Sequence, residues 1–428
     1  MHSNVFLMDS APLKILMFGW EFPPYNSGGL GVACEGLVGG LASLGAQITF
    51  VLPKKLDCQS DACKFVFGGS WSSKKKYIAG VETIEIDSPL SPYLTAEGYA
   101  QERAVYADKY IAGGYGVWRK DMVGEVMRYA AQARGIAMAG EFDVIHTHDW
   151  LSLPAGIEAK KITGKPLVFQ VHATEYDRVN DNCLNKDICA IEKHGLDEAD
   201  VVVAVSDYTR RRIIDRYDTD PKKIEVVPNA VDHSKYQAKF AADFSGLKQN
   251  GKKIVLFVGR LTFQKGPDYF LRAAQKVSQL DQNVMFVFSG AGDMERWLIQ
   301  ESAQLGIADR VIFAGFLRGN ELARLYQMAD LYVMPSVSEP FGITSLEALA
   351  NGTPILVSRQ SGVAEMVSHC LKVDFWDIDQ IANKIMAVVK YPALRETMHC
   401  NGAAEVNKFS WNKSAQKCVN VYNRILKA

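Results

Sequence analysis

Short apolar runs recur along this 428-residue chain, and stretches with helical spacing separate most of them. Runs that short, apolar at nearly every position, suit parallel strands buried on both faces, and parallel neighbours require a crossover connection. The alternation therefore points to α/β architecture with doubly wound sheets. Lys14-Ile-Leu-Met-Phe-Gly19 reads as the first strand. A helix follows from Val32, with Leu37, Leu41 and Leu44 on one face and Gly45 closing it before Gln47-Ile-Thr-Phe-Val-Leu52. Phe142-Asp-Val-Ile-His146, Pro166-Leu-Val-Phe-Gln-Val171, Val201-Val-Val-Ala-Val205 and Ile224-Glu-Val-Val227 continue the series.

The pattern lapses over residues 233–252 and restarts at Lys253-Ile-Val-Leu-Phe-Val-Gly259, which places a domain boundary there. Helices are expected over 268–280, from 294, over 321–328 and over 378–389. Strands are expected at 284–288, 311–313, 331–334 and 354–357. Ser410 suits the cap of a last helix whose apolar positions are Trp411, Ala415, Cys418, Tyr422 and Ile425. Residues 53–127 break the rhythm and are rich in aromatics, among them Trp71, Tyr77, Tyr93, Tyr99, Tyr106, Tyr110, Tyr115 and Trp118.

Composition excludes several classes. Lysine plus arginine and aspartate plus glutamate balance at 48 each, so no basic footprint for nucleic acid or a membrane surface is expected. The eight cysteines are scattered without C-x-x-C spacing and read as reduced, buried thiols. No apolar run approaches the length of a membrane span or a signal-peptide core, and a cytoplasmic protein is expected.

Ligands in open α/β sheets collect beyond the carboxyl ends of the strands, so the loops there carry the functional expectations. After the first strand comes Gly19-Trp-Glu-Phe-Pro-Pro-Tyr-Asn-Ser-Gly28-Gly29-Leu-Gly31, where Gly28 and Gly29 permit close approach of an anion at a helix start. The dinucleotide fingerprint G-x-G-x-x-G fails at Cys34, and Leu52-Pro-Lys-Lys stands where a ribose-binding acid would be needed. His146-Thr-His148-Asp149-Trp150 and His172 follow later strands. No third ligand stands at a metal-site spacing, so a polar cluster that positions a sugar is expected rather than a metal site.

In the second half, Gly259-Arg260 and Lys265 follow a strand, and Gly290-Ala-Gly292 follows another. A planar guanidinium and a point-charge ammonium together suit a departing diphosphate. Ser336-Val-Ser-Glu-Pro-Phe-Gly-Ile-Thr-Ser-Leu-Glu347 places two carboxylates around a turn that opens a helix. The free N–H groups at that helix start favour phosphate; Glu339 can accept from sugar hydroxyls and Glu347 from a ribose.

The set Arg260, Lys265, Glu339-Pro-Phe-Gly, Glu347 and Asn351-Gly-Thr-Pro resembles the signature of retaining nucleotide-sugar glycosyltransferases of the GT-B fold. Gly28-Gly29-Leu30, His148-Asp149-Trp150, His172 and Pro228-Asn229-Ala-Val-Asp232 extend the resemblance, and Gly19-Trp-Glu-Phe-Pro-Pro is similar to glycogen and starch synthases. Those synthases often have Lys-x-Gly-Gly-Leu, where this chain has Asn26-Ser-Gly-Gly-Leu.

The resemblance implies two Rossmann-like doubly wound domains facing a central cleft. Residues 1–236 would bind the acceptor and 237–408 the nucleotide-sugar, with a helix in 409–428 crossing back to the first domain. Arg260, Lys265, Glu339, His172 and Asp149 would be catalytic. Gly28, Gly29, Gly259, Gly290, Phe341, Gly342, Ile343, Thr344 and Glu347 would bind the donor. The implied activity is retaining transfer of glucose from ADP-glucose or UDP-glucose to an α-1,4-glucan or oligosaccharide, with no cofactor and no metal. A small sugar, sugar phosphate or lipid-linked saccharide acceptor is the alternative within enzymes. A non-catalytic carbohydrate-binding protein is the alternative outside them.

Overall fold

In the computed structural model of the protein, residues 11–23, 28–53, 62–67, 77–78, 81–82, 122–232 and 251–427 are described. The linker expected at 233–252 and most of the aromatic segment, including Trp71, Tyr93, Tyr99, Tyr106, Tyr110, Tyr115 and Trp118, lie outside the described residues, as does Asn26. The chain forms two compact units. One comprises Met1–Val171, Lys186–Val203 and Asn412–Ala428; the other comprises His172–Asn185 and Ala204–Trp411.

The first unit carries parallel strands β1 (Lys14–Phe18), β2 (Gln47–Leu52), β3 (Lys64–Phe67), β6 (Val144–His148), β7 (Leu167–Val171) and β8 (Val201–Ala204), in the spatial order β3-β2-β1-β6-β7-β8. Two-residue strands β4 (Tyr77–Ile78) and β5 (Val81–Glu82) pair with each other, and β9 (Ile224–Val226) precedes the linker. Every residue of β6 and β7 is buried, which explains their continuous apolar character. The order reverses direction between β1 and β6, making this pair the topological switch point of the sheet.

Three elements of this unit differ from expectation. The first helix begins at Gly29 rather than Val32, because the buried Glu21 carboxylate accepts the Gly31 N–H at 2.6 Å and serves as a cap from ten residues upstream. The strand expected to stop at His146 runs on to His148. His146 is tolerated in the interior because both ring nitrogens are partnered, Nδ1 with the Tyr422 hydroxyl at 2.6 Å and Nε2 with the Gln170 side-chain Oε1 at 2.9 Å. The irregular region expected up to residue 127 ends earlier, in a helix over Met122–Ala139. Tyr422 lies on the last helix, Trp411–Ile425, so the chain end crosses back to the first unit, with Ala415, Cys418 and Tyr422 fully buried.

The second unit carries β10 (Lys253–Val258), β11 (Val284–Ser289), β12 (Val311–Gly315), β13 (Leu331–Met334), β14 (Ile355–Ser358) and β15 (Leu371–Val373), all parallel, in the order β12-β11-β10-β13-β14-β15. Its core interleaves the rings of Phe257, Phe270, Phe286 and Phe288 with Leu331, Ile381 and Ile385. The reversal falls between β10 and β13. A helix over Pro392–Val406 was not foreseen, and its buried Glu405 holds the turn before β15 by accepting the N–H groups of Ser368 and His369. None of the described cysteines forms a disulfide; Cys34, Cys63 and Cys418 are buried as expected, whereas Cys183 and Cys400 are exposed. Those two occupy a short 3₁₀ turn and the helix Pro392–Val406.

The second unit also holds residues 172–185 and 204–232, although the sequence divides the domains near 236. Hydrogen bonds account for the grouping. Ser206 Oγ and Thr209 Oγ1 donate to the Pro340 carbonyl at 2.5 and 3.2 Å, and Ser338 Oγ donates to Asp177 at 2.6 Å.

Candidate functional site

The carboxyl ends of β10 and β13 flank the switch point of the second sheet, and the residues singled out by sequence lie in the loops that leave them. After β10 the chain passes through Gly259 and Arg260 into a 3₁₀ turn, Phe263–Lys265, closed by Gly266 in the left-handed region at φ +65°. A Cβ on residue 266 would lie 2.2 Å from the Pro335 carbonyl oxygen, so only glycine lets this turn lie against the loop after β13. Lys265 Nζ thereby meets Glu339 Oε2 at 2.6 Å, with the Ser336 hydroxyl on the same oxygen at 3.2 Å. Glu339 is only 7% exposed. Its backbone is fixed on both sides, its N–H donating to the Gln360 carbonyl and its carbonyl accepting from Gly362, each at 2.9 Å.

Gly290, at the end of β11, adjoins Gly259 so closely that a Cβ there would sit 1.9 Å from the Gly259 carbonyl oxygen. The two glycines permit a close backbone approach beside Arg260, whose guanidinium donates to the Gln264 side chain at 3.1 Å.

After Glu339-Pro-Phe, Gly342 at φ +103° starts the helix Ile343–Ala350. The Ile343 and Thr344 N–H groups precede the first bond of the helix, from the Ser345 N–H to the Gly342 carbonyl at 3.0 Å, and no acidic side chain occupies the first turn, so the helix start favours an anion. Two fully buried tyrosines support this helix. Tyr332 OH donates to the Val258 carbonyl at 3.3 Å and bonds the Thr344 hydroxyl at 2.8 Å, tying the helix start to the end of β10. Burial pushes the Tyr332 phenol well above its ordinary value, so it stays a neutral hydroxyl. Tyr326 OH donates to Glu347 Oε2 at 3.2 Å. Sequence reasoning missed both tyrosines, since inside apolar strand and helix patterns they read as core.

His172 directly follows β7 and belongs to the second unit. Desolvation lowers its imidazole to about 3, so it is neutral at physiological pH. Asp177, five residues on, accepts from the Thr174 N–H and hydroxyl at 2.8 Å each and forms an ion pair with the Arg212 guanidinium at 2.8 Å, which fixes the loop that His172 begins.

The remaining expected residues belong to the first unit, at its own switch point between β1 and β6. Gly28 has an extended backbone and precedes the helix Gly29–Ser43. One N–H of that helix start, on Gly31, is already occupied by Glu21, which narrows the room for an external anion. Tyr129 OH bridges the Gly19 and Val51 carbonyls at 3.1 Å each and anchors the loop that carries Glu21. A glutamate inside the apolar Gly-Trp-Glu-Phe-Pro-Pro run was the available signal for Glu21. Asp149, 4% exposed, opens the helix Asp149–Thr163 in the left-handed region at φ +55°. Aspartate adopts that region more readily than most non-glycine residues, as Asp218 does at φ +51°. His146, by contrast, is committed to Tyr422 and Gln170, and this corrects its expected place in a sugar-positioning cluster.

Two doubly wound parallel sheets agree with what family comparison finds. Residues 239–405 match the family described as glycosyl transferases group 1, and residues 93–235 match glycosyltransferase family 4. The chain belongs to the GT-B-fold glycosyltransferases. It is 31% identical over 425 residues to an uncharacterized glycosyltransferase of Methanocaldococcus jannaschii, covering 96% of this chain and 98% of that one. A D-inositol 3-phosphate glycosyltransferase of Salinispora arenicola is 33% identical over 73% of this chain and 76% of that one. A glycogen synthase of Mycobacterium tuberculosis is 26% identical over 96% and 94%. Among solved structures, sucrose-phosphate synthase from Thermosynechococcus elongatus shares the fold with a TM-score of 0.74 at 18% identity, covering 97% of this chain and 99% of that one. Anabaena HepE in complex with UDP and glucose does so with a TM-score of 0.68 at 19% identity, covering 96% and 100%. Among the described residues, no helix is long and apolar enough to cross a membrane.

Proposed function

We propose that the protein transfers glucose from UDP-glucose or ADP-glucose to the non-reducing end of an α-1,4-glucan, with retention at the anomeric carbon. The observation that carries this is the 2.6 Å contact of Lys265 with Glu339 at the switch point, beside Arg260 and the start of the Ile343–Ala350 helix. A cation, a sugar-binding carboxylate and a phosphate-binding helix start meet there within one unit.

Arg260 and Lys265 neutralise charge on the departing diphosphate, and their fixed placement matters because preorganised charges need no rearrangement as the bond breaks. The N–H groups of Gly342, Ile343 and Thr344, which follow Phe341, cradle phosphate oxygens, while Gly259 and Gly290 keep the backbone clear for it. Glu339 accepts from sugar hydroxyls and Glu347 from the ribose. His172, neutral, and Asp149 orient the sugar and acceptor, and Gly28 and Gly29 bind the donor. The acceptor hydroxyl attacks from the face the diphosphate leaves, so no carboxylate pair of the retaining-glycosidase type is needed. Two fixed cations supply the charge neutralisation that other transferases draw from a metal ion, and no cofactor enters the scheme.

The nucleotide donor is supported by HepE, solved with UDP and glucose, and the glucan acceptor by the glycogen synthase that matches nearly end to end. A sugar-phosphate acceptor is the second reading, favoured by the inositol-phosphate transferase relative. Radiolabelled UDP-glucose, ADP-glucose and GDP-mannose, screened against glycogen, maltooligosaccharides, inositol 3-phosphate and glucose 1-phosphate, test both. Label in polymer or lengthened maltooligosaccharide supports the first reading, and label confined to a small phosphate acceptor overturns it in favour of the second. Sugar-nucleotide binding without turnover with any pair would point to the non-catalytic alternative.

A further inference from the structure

Gln264 stands between Arg260 and Lys265 in sequence and is buried, 5% exposed, with three hydrogen bonds that run to both sides of the switch point. Its side-chain oxygen accepts from Arg260 Nη2 at 3.1 Å, and its side-chain nitrogen donates to the Ser338 carbonyl at 3.2 Å. Its backbone carbonyl accepts from the Val337 N–H at 2.9 Å. One amide thus joins the loop after β10, which bears Arg260, to the loop after β13, which bears Glu339. The far anchor is itself fixed, because Ser338 Oγ donates to Asp177 at 2.6 Å and bonds the Tyr208 hydroxyl at 3.0 Å.

The chemistry of the position is specific to an amide. One end must accept from a guanidinium and the other must donate to a carbonyl, and among side chains of this length only glutamine does both without charge. A glutamate would face the Ser338 carbonyl with a second acceptor, and an apolar residue would remove this acceptor from the arginine. An arginine side chain has many rotamers, and every rotamer that turns the guanidinium away from its ligand lowers affinity.

We infer that Gln264 is a positioning residue that presents the Arg260 guanidinium to the donor diphosphate and keeps it in register with the loop carrying Glu339. This rests on the proposed role of Arg260 at the diphosphate.

A double-mutant cycle on ligand affinity separates the two. Binding of UDP and of ADP is measured by calorimetry in the wild type, Gln264→Met, Arg260→Ala and the double variant, with melting temperatures alongside. Gln264→Met should weaken the diphosphate that binds more tightly to the wild type by about tenfold, the scale of one hydrogen bond to a charged group. Arg260→Ala should weaken it further, and the double variant should match Arg260→Ala, since a positioning residue has nothing to position once the arginine is gone. A purely structural role for Gln264 would lower the melting temperature and leave the two losses additive. Additive losses, or wild-type affinity in Gln264→Met beside a weakened Arg260→Ala, overturn the inference alone. Wild-type affinity in Arg260→Ala overturns the diphosphate role beneath it, and the inference falls with it. Should Gln264→Met fail to fold, Gln264→Ala enters the same cycle with the same outcomes.

Discussion

Replacing Gly290 with alanine should damage catalysis more than its chemical modesty suggests. The new methyl group would lie 1.9 Å from the Gly259 carbonyl oxygen and 2.9 Å from its carbon, both backbone atoms without a rotamer to relieve the overlap. The ends of β10 and β11 must therefore part by about 1 Å or more before ordinary contact is restored. Holding an alanine at the Gly290 backbone angle of φ +142° adds a conformational cost of about 1–3 kcal/mol. Forcing the packed backbone apart adds about the same again, so a total loss of about 2–6 kcal/mol is expected. Gly259 immediately precedes Arg260, and a displacement of that size at a group meeting the reacting atoms costs about 10²-fold in rate. The assay is urea unfolding paired with nucleoside diphosphate release from UDP-glucose and ADP-glucose. Gly306→Ala is the control: its φ is +70°, yet nothing lies within 4 Å of its Cβ, so it carries the conformational cost without the clash. That variant should lose about 1 kcal/mol and keep its activity. Turnover of Gly290→Ala within about threefold of wild type, far inside the loss expected from misplacement, would refute the claim that this backbone approach sets the position of Arg260.

Arg260→Ala and Lys265→Ala should each lower kcat by about 10²-fold, the effect of removing one preorganised charge, and near-normal turnover in both would remove the leaving-group role. Excess EDTA should leave the rate largely unchanged, whereas a loss reversed by magnesium or manganese would favour a metal-dependent scheme. Tyr326→Phe, which strips the hydroxyl from Glu347, should raise KM for the donor about tenfold, the scale of one hydrogen bond to a charged group, with kcat little altered; an equal fall in kcat would place Glu347 in the transition state instead. Burial alone would raise the Glu405 carboxyl, but the N–H groups of His369 and Ser368, the His369 ring and Lys408 outweigh it and hold it at about 2 against an ordinary 4.5. Because the folded value is depressed, the stabilisation is complete above about pH 4.5 and is lost as the pH falls toward 2. Glu405→Gln should therefore be less stable than wild type by about 3 kcal/mol at pH 7, with the gap closing by pH 2; a gap that stays constant with pH in urea titrations would disprove the linkage.

Local chemistry was enough to specify much of this protein. Continuous apolar runs such as Lys253–Val258 and Leu331–Met334 can be satisfied only by strands buried on both faces, so the parallel architecture was legible from periodicity. The loops at strand ends were legible for the same reason, because Arg260, Lys265, Glu339 and Glu347 are polar residues set beside those runs. Tertiary structure decided what no window of sequence contains. Whether His146 faces a ligand or the interior depended on Tyr422, 276 residues away in the chain. The start of the first helix depended on a carboxylate folded back from Glu21. The closeness of Gly259 to Gly290 depended on the pairing of β10 with β11. Strand periodicity is a property of consecutive residues, whereas a hydrogen bond or a steric limit between distant ones exists only after the backbone has brought them together. Sequence therefore named most of the charged groups of the site, and folding alone determined which amide and which tyrosines hold them in place.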